Sequence, residues 1–293
     1  MFKQIILYPL TLLLATSSSF CQTMGNANIN GFASNYGFNT SKTVALGDSA
    51  FMVEARVLYN ANATYYSAHF ALAQEGETVI SCNESINRRI DGFINEIINS
   101  GIKKENCVVD FVSQTKVYKH VVEDNLAIEQ LKGFVLKKNV IITFNEKEQI
   151  DELIKIASNY EIYDLAKVDH KTKDLEQIKN EMWQAAVKQI NAKKSRYLAL
   201  TDLTTTKSSI IVSEEFRAIQ PGQLYAKYSA FESTQVVNNS YSKSRLERVD
   251  ALKMSTNFYQ PLAEDYFDQM INNNSLEPHL QYTFVIKVKY FVA

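Results

Sequence analysis

The chain has 293 residues, of which 46% are hydrophobic, 22% charged and 11% aromatic. This composition is typical of globular proteins and excludes disordered, collagen-like and coiled-coil classes. The formal net charge is −1, so the chain lacks the positive field that attracts phosphates, and we expect no nucleic-acid partner.

The first 21 residues have the three parts of a secretory signal peptide. Lys3 supplies a positive charge, residues 5–15 form an apolar stretch, and small residues lead to Cys21. The apolar stretch is too short to anchor the chain in a bilayer, and we expect no transmembrane helix in the mature chain. The bulky Phe20 disfavours a lipid anchor at Cys21. We therefore expect export to the periplasm without lipidation.

The mature chain is expected to begin with a flexible linker, residues 22–49, which is rich in Asn, Gly and Ser, and to continue as one domain over residues 50–293. Apolar residues alternate over 51–59 and again over 64–72, which predicts two consecutive strands. A long amphipathic helix should follow and end at Gly101. Its apolar residues recur at helical spacing: Val79, Cys82, Ile86, Ile90, Phe93 and Ile97.

Two further strands are predicted over 109–118 and 134–144, the second with a clean alternating face. Asn145, with Glu148 three residues later, predicts the capped start of a second helix. The apolar face of that helix would hold Ile150, Leu153, Ile154 and Ala157.

A short strand over 162–168 and a third helix from Asp174 complete this second unit of sheet and helix. The chain then closes with an alternating strand over 280–292. Strands that alternate with long amphipathic helices in this mixed order favour an α+β fold with antiparallel or mixed sheets.

The order of elements resembles the SIMPL-domain family, a bacterial periplasmic family of unknown function that includes immunogenic and oxidative-stress-defence proteins. The segments that carry the resemblance are VEARVLYNANATYYSAHFAL, INEIINSGIKKENCVVDF, GFVLKKNVIITF, IDELIKIASNYEIYDLAKV and YTFVIKVKYFV. Two departures are NANAT, where similar members place a proline and an acidic residue, and the segment 203–278, which is longer and aromatic-rich. The resemblance implies an exported α+β domain without an established catalytic site, and some members look like builders of ring-like or channel-like homo-oligomers.

One segment offers a competing enzymatic interpretation. Residues 47–49 read Gly-Asp-Ser and look like the nucleophile block of GDS-type serine esterases, with Ser49 as the nucleophile. That class places its base, a late histidine, three residues after an aspartate, and neither His170 nor His279 has an aspartate there. Because nucleophilic catalysis requires all three roles, we favour a polar turn and a protein that is not an enzyme.

The residues that commonly bind metals show no recognisable spacing. The four histidines are far apart in the sequence: His69, His120, His170 and His279. None forms the i, i+4 pair of a helical zinc site, so we expect neither a metal nor another cofactor. His69 should lie on the strand face opposite Phe70. Adjacent acids are expected to be solvated charges: Glu214 with Glu215, and Glu264 with Asp265.

Export to an oxidising compartment suggests a disulfide between Cys82 and Cys107. The predicted positions argue against it, because Cys82 lies near the start of the long helix and Cys107 beyond its end, roughly 25 to 30 Å away. A disulfide requires Cα atoms within about 7 Å. Both thiols should be free.

Aromatic residues are unusually frequent over residues 225–267, interspersed with polar side chains. They are Tyr225, Tyr228, Phe231, Tyr241, Phe258, Tyr259, Tyr266 and Phe267. If exposed, they suit contacts with a glycan or an envelope protein. The alternative is that they pack a long loop and a short helix against the main sheet.

The closing strand predicts self-association. One face should be buried: Leu280, Tyr282, Phe284, Ile286, Val288, Tyr290 and Val292. On the other face, Lys287 and Lys289 would resist uncontrolled edge pairing, whereas Val285 and Phe291 leave apolar area for a specific neighbour. We therefore expect a homo-oligomer with a binding or assembly role in the cell envelope.

Overall fold

A computed structural model describes residues 27–30, 44–45, 49–123, 126–201, 204–237, 247–252, 256–272 and 277–293. The described residues fall into two compact units. Those within Met1–Asn30 and Lys227–Asn257 form the smaller unit, and those within Gly31–Ala226 and Phe258–Ala293 form the larger one.

The described part of the chain contains strands, three α-helices and short 3₁₀ turns, so the predicted α+β fold is confirmed. The strands are β1 (Ala27–Asn30), β2 (Val44–Ala45), β3 (Ala50–Ala61), β4 (Tyr65–Gly76), β5 (Cys107–Glu123), β6 (Leu126–Phe144), β7 (Asp164–Lys171), β8 (Thr205–Ile219), β9 (Tyr225–Val237), β10 (Glu247–Leu252), β11 (Thr256–Tyr259), β12 (Gln269–Ile271) and β13 (Leu280–Val292). The helices are α1 (Val79–Asn99), α2 (Gln149–Asn159) and α3 (Leu175–Thr201). The 3₁₀ turns are Lys104–Asn106, Pro221–Leu224 and Glu264–Tyr266.

In the smaller unit, β9 pairs antiparallel with β1 on one side and with β10 on the other. Strands β1 and β2 both fall within residues 22–49, the segment expected to be a linker. They occur there because β1 pairs with β9 and β2 pairs with β3.

The larger unit has a first layer in which an antiparallel sheet, ordered β5-β6-β4-β7, is covered on one face by α1 and α2. The alternating apolar residues of β4 and β6 meet the apolar stripe of α1. Phe70 and Phe93 form the centre of this core, with ring centroids 5.2 Å apart in an edge-to-face arrangement. Both side chains are almost completely buried.

Helix α1 ends as its sequence predicts. Gly101 adopts a positive φ of 104°, which an L side chain rarely tolerates. The N–H of Ile102 donates to the carbonyl of Ile97 at 3.3 Å, the bond that defines this glycine-ended helix cap. At the other end, Thr78 and Ser81 form a reciprocal capping box that the sequence analysis had not anticipated.

The predicted cap of α2 by Asn145 is wrong. The helix begins at Gln149, and Glu148 occupies the cap position without a side-chain bond. Instead, the side-chain oxygen of Gln149 accepts hydrogen bonds from the N–H groups of Asn145 (3.3 Å) and Glu146 (3.0 Å). The Gln149 side chain therefore holds the turn that precedes the helix, and Asn145 contributes its backbone N–H to that turn.

The second layer is a sheet ordered β12-β3-β13-β8 with α3 packed on one face. The face of β13 that begins at Leu280 is buried up to Tyr290, as predicted. Strand β13 lies between β3 and β8, however, so Lys287 and Lys289 do not protect a sheet edge. The Nζ atom of Lys287 lies 3.2 Å from the carboxylate of Glu54, which also pairs with Arg56.

The face of this sheet that points away from α3 is covered at one end by loops. Leu58, Leu224 and Leu262 form a small apolar cluster there. The side chain of Gln281 donates to Asn60 at 2.9 Å and accepts from the backbone N–H of Leu262 at 3.0 Å. These bonds explain how a polar residue of β13 can be buried.

Candidate functional site

The β5–β6 hairpin is much longer than the sheet that contains it. The two strands pair from Cys107 with Ile142 to Glu123 with Leu126, whereas β4 pairs with β6 only over residues 134–144. Residues 118–132 therefore pair only with each other in the described part of the chain. We call this segment the arm.

The arm has large apolar side chains that its own pairing does not bury. Tyr118, Ile128 and Leu131 are 50%, 46% and 47% exposed. The sequence analysis missed the arm because its apolar residues do not alternate cleanly on one face, which is the pattern of a strand that is buried on one side. Within the described part of the chain, none of the apolar clusters includes these arm residues.

The arm carries charges of both signs. Lys119 and Lys132 lie towards the end that joins the sheet, and Lys132 lies 3.5 Å from the carboxylate of Glu75. Glu129 pairs with His120, next to Lys119 along the ladder.

Exposed apolar residues continue onto the part of β5 that belongs to the sheet. Strand β5 is the outermost strand of its sheet among the described residues. Its exposed members are Val108, Val109, Phe111 and Val112. An outer strand with an unpaired backbone and exposed apolar side chains is a natural site for adding another chain.

A second feature is a cleft of about 490 Å³ between α3, β8 and β13. It is lined by Glu176, Lys179, Asn180, Trp183, Glu214, Phe216 and Phe284. The four helical residues share one flank of α3 because of their i, i+3, i+4, i+7 spacing. Glu214 and Phe216 are two residues apart on β8 and so point to the same side.

Aromatic rings form the floor and one wall of this cleft. Trp183, the only tryptophan of the chain, is 38% exposed, and its ring centroid lies 5.9 Å from that of the buried Phe284. Phe216 stacks on Tyr282 with centroids 5.5 Å apart. The cleft therefore offers a partly exposed indole that packs against the buried ring of Phe284.

Acidic, basic and neutral polar side chains surround the rings. Glu176 pairs with Lys179 at 2.8 Å, and the Lys179 ammonium lies 5.8 Å from the centre of the Phe216 ring. Glu214 has no ion-pair partner within the described ranges, and Asn180 adds an amide. The sequence analysis could not assemble this site, because its residues come from three segments that are distant in sequence.

Ser49 lies in a turn before β3, in agreement with the polar turn predicted for this segment. Its backbone carbonyl accepts a hydrogen bond from the N–H of Val292 at 2.9 Å. No histidine of the described residues lies within hydrogen-bonding distance of its hydroxyl. The expectation that the protein is not an enzyme stays a prediction.

His69 faces away from the buried Phe70, as expected. Its Nε2 atom lies 3.3 Å from the carboxylate of Asp169, which also accepts from Lys167 at 2.7 Å. Burial and the nearby Lys167 charge lower the pKa of His69, while Asp169 partly opposes them.

Outside the arm, His170 is partly buried and His279 is buried. His170 packs edge-on against Tyr66, with ring centroids 5.0 Å apart. Burial, followed by the charge of Lys147, lowers the pKa of His170. The Nδ1 atom of His279 lies 2.7 Å from the carbonyl oxygen of Glu277. Across the described residues, no three His, Cys, Asp or Glu side chains are grouped to hold a metal ion.

Both predicted free thiols are confirmed. The Cys82 thiol lies 3.4 Å from the carbonyl of Phe134, whereas Cys107 pairs with Ile142 on the same strand, about 26 Å further along. Burial raises the pKa of Cys107.

The described aromatic residues of the 225–267 segment are divided between the two units. Tyr225, Phe258, Tyr259, Tyr266 and Phe267 belong to the larger unit, whereas Tyr228 and Phe231 belong to the smaller one. Tyr241 lies outside the described residues. In the larger unit, Tyr259 and Phe267 pack against the small apolar cluster around Leu58. A glycan or protein partner for this segment stays a prediction.

Among the described helices, none combines the length and apolar character needed to cross a membrane. Residues 53–251 match the SIMPL family, which is described as a protein of unknown function (DUF541). The chain therefore belongs to the SIMPL family. No curated protein matches the chain. The matched segment contains the arm and the parts of the cleft on α3 and β8, whereas β13 lies beyond it.

Proposed function

We propose that this SIMPL protein is exported to the periplasm, has no catalytic activity of its own and acts in the cell envelope by binding and homo-oligomeric assembly. The observation that carries the proposal is the arm, a two-stranded ribbon that extends beyond its sheet with apolar side chains exposed. We propose it as the element through which copies of the chain associate.

An isolated two-stranded ribbon is at best marginally stable in water. Its backbone pairing must be supported by apolar contacts, and the arm residues Tyr118, Ile128 and Leu131 lack such contacts in the described chain. Moving an apolar side chain from full exposure to full burial is worth about 1.5 to 3 kcal/mol, and about half of that remains to be gained by each of these half-exposed side chains. A partner that covers these three side chains would therefore stabilise both the complex and the arm itself.

The charge distribution favours a second copy as that partner. Two arms that pack side by side in opposite directions would allow Lys119 of each copy to lie close to Glu129 of the other copy. This arrangement is self-complementary, as a two-fold interface requires. Arms packed in the same direction would instead place like charges together.

Assembly is tested by light scattering of the mature protein at increasing micromolar concentrations. The variant Tyr118→Asp with Leu131→Asp should remain monomeric, because it places charges in the proposed interface. The control variant Ile154→Asp with Tyr163→Asp changes two apolar residues outside the arm that are 45% and 75% exposed, and it should assemble like the wild type. A wild-type mass that stays monomeric in low and in physiological salt would contradict the proposal.

Export is proposed from the leader alone and is tested separately. Cell fractionation should recover the protein in the soluble periplasmic fraction, and N-terminal sequencing should find a start near Gln22. Full-length protein in the cytoplasm, or an acylated Cys21 in membranes, would contradict this part.

The absence of catalysis is tested against the competing esterase. The purified mature protein should not hydrolyse short-chain p-nitrophenyl esters above the rate of a heat-treated sample. Hydrolysis that disappears in Ser49→Ala would establish the serine esterase instead.

A further inference from the structure

We infer that the cleft between α3, β8 and β13 binds a neutral saccharide. This inference does not depend on the arm or on self-association. It rests on three properties of the cleft: its aromatic rings, the signs of its charges and its size.

The aromatic rings provide a platform for a sugar ring. The apolar C–H face of a pyranose packs on an indole, and a half-exposed tryptophan supported from below suits this contact. Trp183 has this environment, because Phe284 is buried beside it at 5.9 Å. An exposed aromatic side chain with no such support would have to be ordered on binding, at a cost in entropy.

The charges of the cleft, two carboxylates and one ammonium, disfavour an anionic ligand. An anion would meet the carboxylates of Glu176 and Glu214. A cation would be attracted by Glu214 but would meet the ammonium of Lys179, which already lies over the Phe216 ring, and the titration with spermidine below separates a cationic ligand from a neutral one. A neutral polyhydroxylated molecule meets neither repulsion, since each hydroxyl can both donate and accept a hydrogen bond.

The polar groups also match what hydroxyls require. Glu214 offers acceptors, Lys179 offers donors and the Asn180 amide offers both. The pair between Glu176 and Lys179 is solvent-exposed, so it is weak and can rearrange around a ligand. Small-ligand sites commonly have volumes of about 300 to 1,000 Å³ with a few polar groups around apolar walls. The cleft, at 490 Å³, lies within that range.

The only tryptophan of the chain reports on the site directly. We would titrate the mature protein with three neutral trisaccharides: maltotriose, cellotriose and fully N-acetylated chitotriose. At least one should give a saturable change in Trp183 fluorescence with a matching heat signal in calorimetry. Spermidine and citrate, as a cation and an anion of small size, should give neither signal.

A matched pair of variants locates the binding. Glu214→Ala should weaken the saccharide at least tenfold, the effect of losing one hydrogen bond to a charged group. Glu215→Ala is the control, because the neighbouring residue points to the opposite side of β8 and pairs with Arg217. Circular dichroism should show that both variants are folded.

Three outcomes would overturn the inference. One is the absence of both signals for all three saccharides up to millimolar concentrations. Another is saturable binding of spermidine or citrate that the saccharides do not match. The third is an equal effect of the Glu214 and Glu215 variants, which would place the ligand elsewhere.

Discussion

The β5–β6 hairpin contains two regions with the same backbone pairing and different surroundings. Its base lies in a four-stranded sheet whose face is covered by α1 and α2, and side chains such as Leu136 and Val140 are buried. The arm continues the same ladder, but Tyr118 and Leu131 are about half exposed. The comparison shows that strand pairing can be continuous while apolar burial stops, and the proposed role of a partner applies to the arm and not to the base.

Two deletions should have the most different effects on folding, one that removes a strand inside a sheet and one that removes the arm. Truncation after Pro278 removes β13, which pairs with β3 and β8 on its two sides, so the product should be unfolded or insoluble. Replacement of residues 118–132 by a two-residue turn should leave a folded monomer, because the arm contributes nothing to the described cores. Solubility and far-UV circular dichroism measure both. A soluble, folded product of the truncation, or an unfolded product without the arm, would contradict the comparison.

A single substitution in the core beneath the base should lower the free energy of unfolding much more than a single substitution in the arm. Phe93→Ala should lower the free energy of unfolding by about 3 to 5 kcal/mol, since it empties the centre of the core beneath the hairpin base. Leu131→Ala should change it by less than about 0.5 kcal/mol in the monomer. Urea denaturation at a concentration where the protein is monomeric gives both values. Equal losses would show that the arm belongs to the folded core.

The two helices that cover the base are each followed by a residue with a positive φ, a glycine after α1 and a glutamate after α2. Gly101 has a φ of 104°, and Glu161 has a φ of 57° after α2. Gly101→Ala should cost about 1 kcal/mol, because an added Cβ meets no atom within 4 Å and only the backbone is strained. Glu161→Gly should raise the stability by roughly 0.5 to 1 kcal/mol. Urea denaturation should therefore show a lower free energy of unfolding for Gly101→Ala and a higher one for Glu161→Gly.

The smallest effect concerns pH. Burial lowers the pKa of His170 in the folded chain, so below about pH 6.5 the unfolded chain binds more protons than the folded one. Stability should therefore fall as the pH is lowered from 6.5 towards the folded-state pKa, with a further contribution from His69. His170→Asn should flatten this slope. Denaturation midpoints measured between pH 7.5 and pH 5 provide the test, and an unchanged slope would show that His170 titrates normally.

The elements with one buried face were predictable from the sequence. The spacing of Ile86, Ile90 and Phe93 marks the buried stripe of α1, and Gly101 marks its end. The closing strand was also recognised, since its alternation is strict. What periodicity could not show was that this strand lies inside the sheet, because strand order depends on contacts between distant segments.

The candidate sites were harder to predict, for two different reasons. The arm lacks the one-sided pattern on which strand prediction depends, since neither of its faces is covered by the described chain. The cleft joins Trp183 on a helix to Glu214 and Phe284 on two strands, and no local pattern connects these positions. The predicted cap at Asn145 failed because the helix begins four residues later, at Gln149, whose side chain accepts hydrogen bonds from the N–H groups of Asn145 and Glu146 in the preceding turn.

Hydrogen exchange at two protein concentrations tests the central claim, that the arm is stabilised by a second copy of the chain. At tens of micromolar, backbone amides of residues 118–123 and 126–132 should be protected, and dilution to the nanomolar range should remove that protection. Amides of the base, such as those of Leu136 and Val140, should exchange equally slowly at both concentrations. Arm amides that exchange at the same rate at both concentrations, whether fast or slow, would contradict the account.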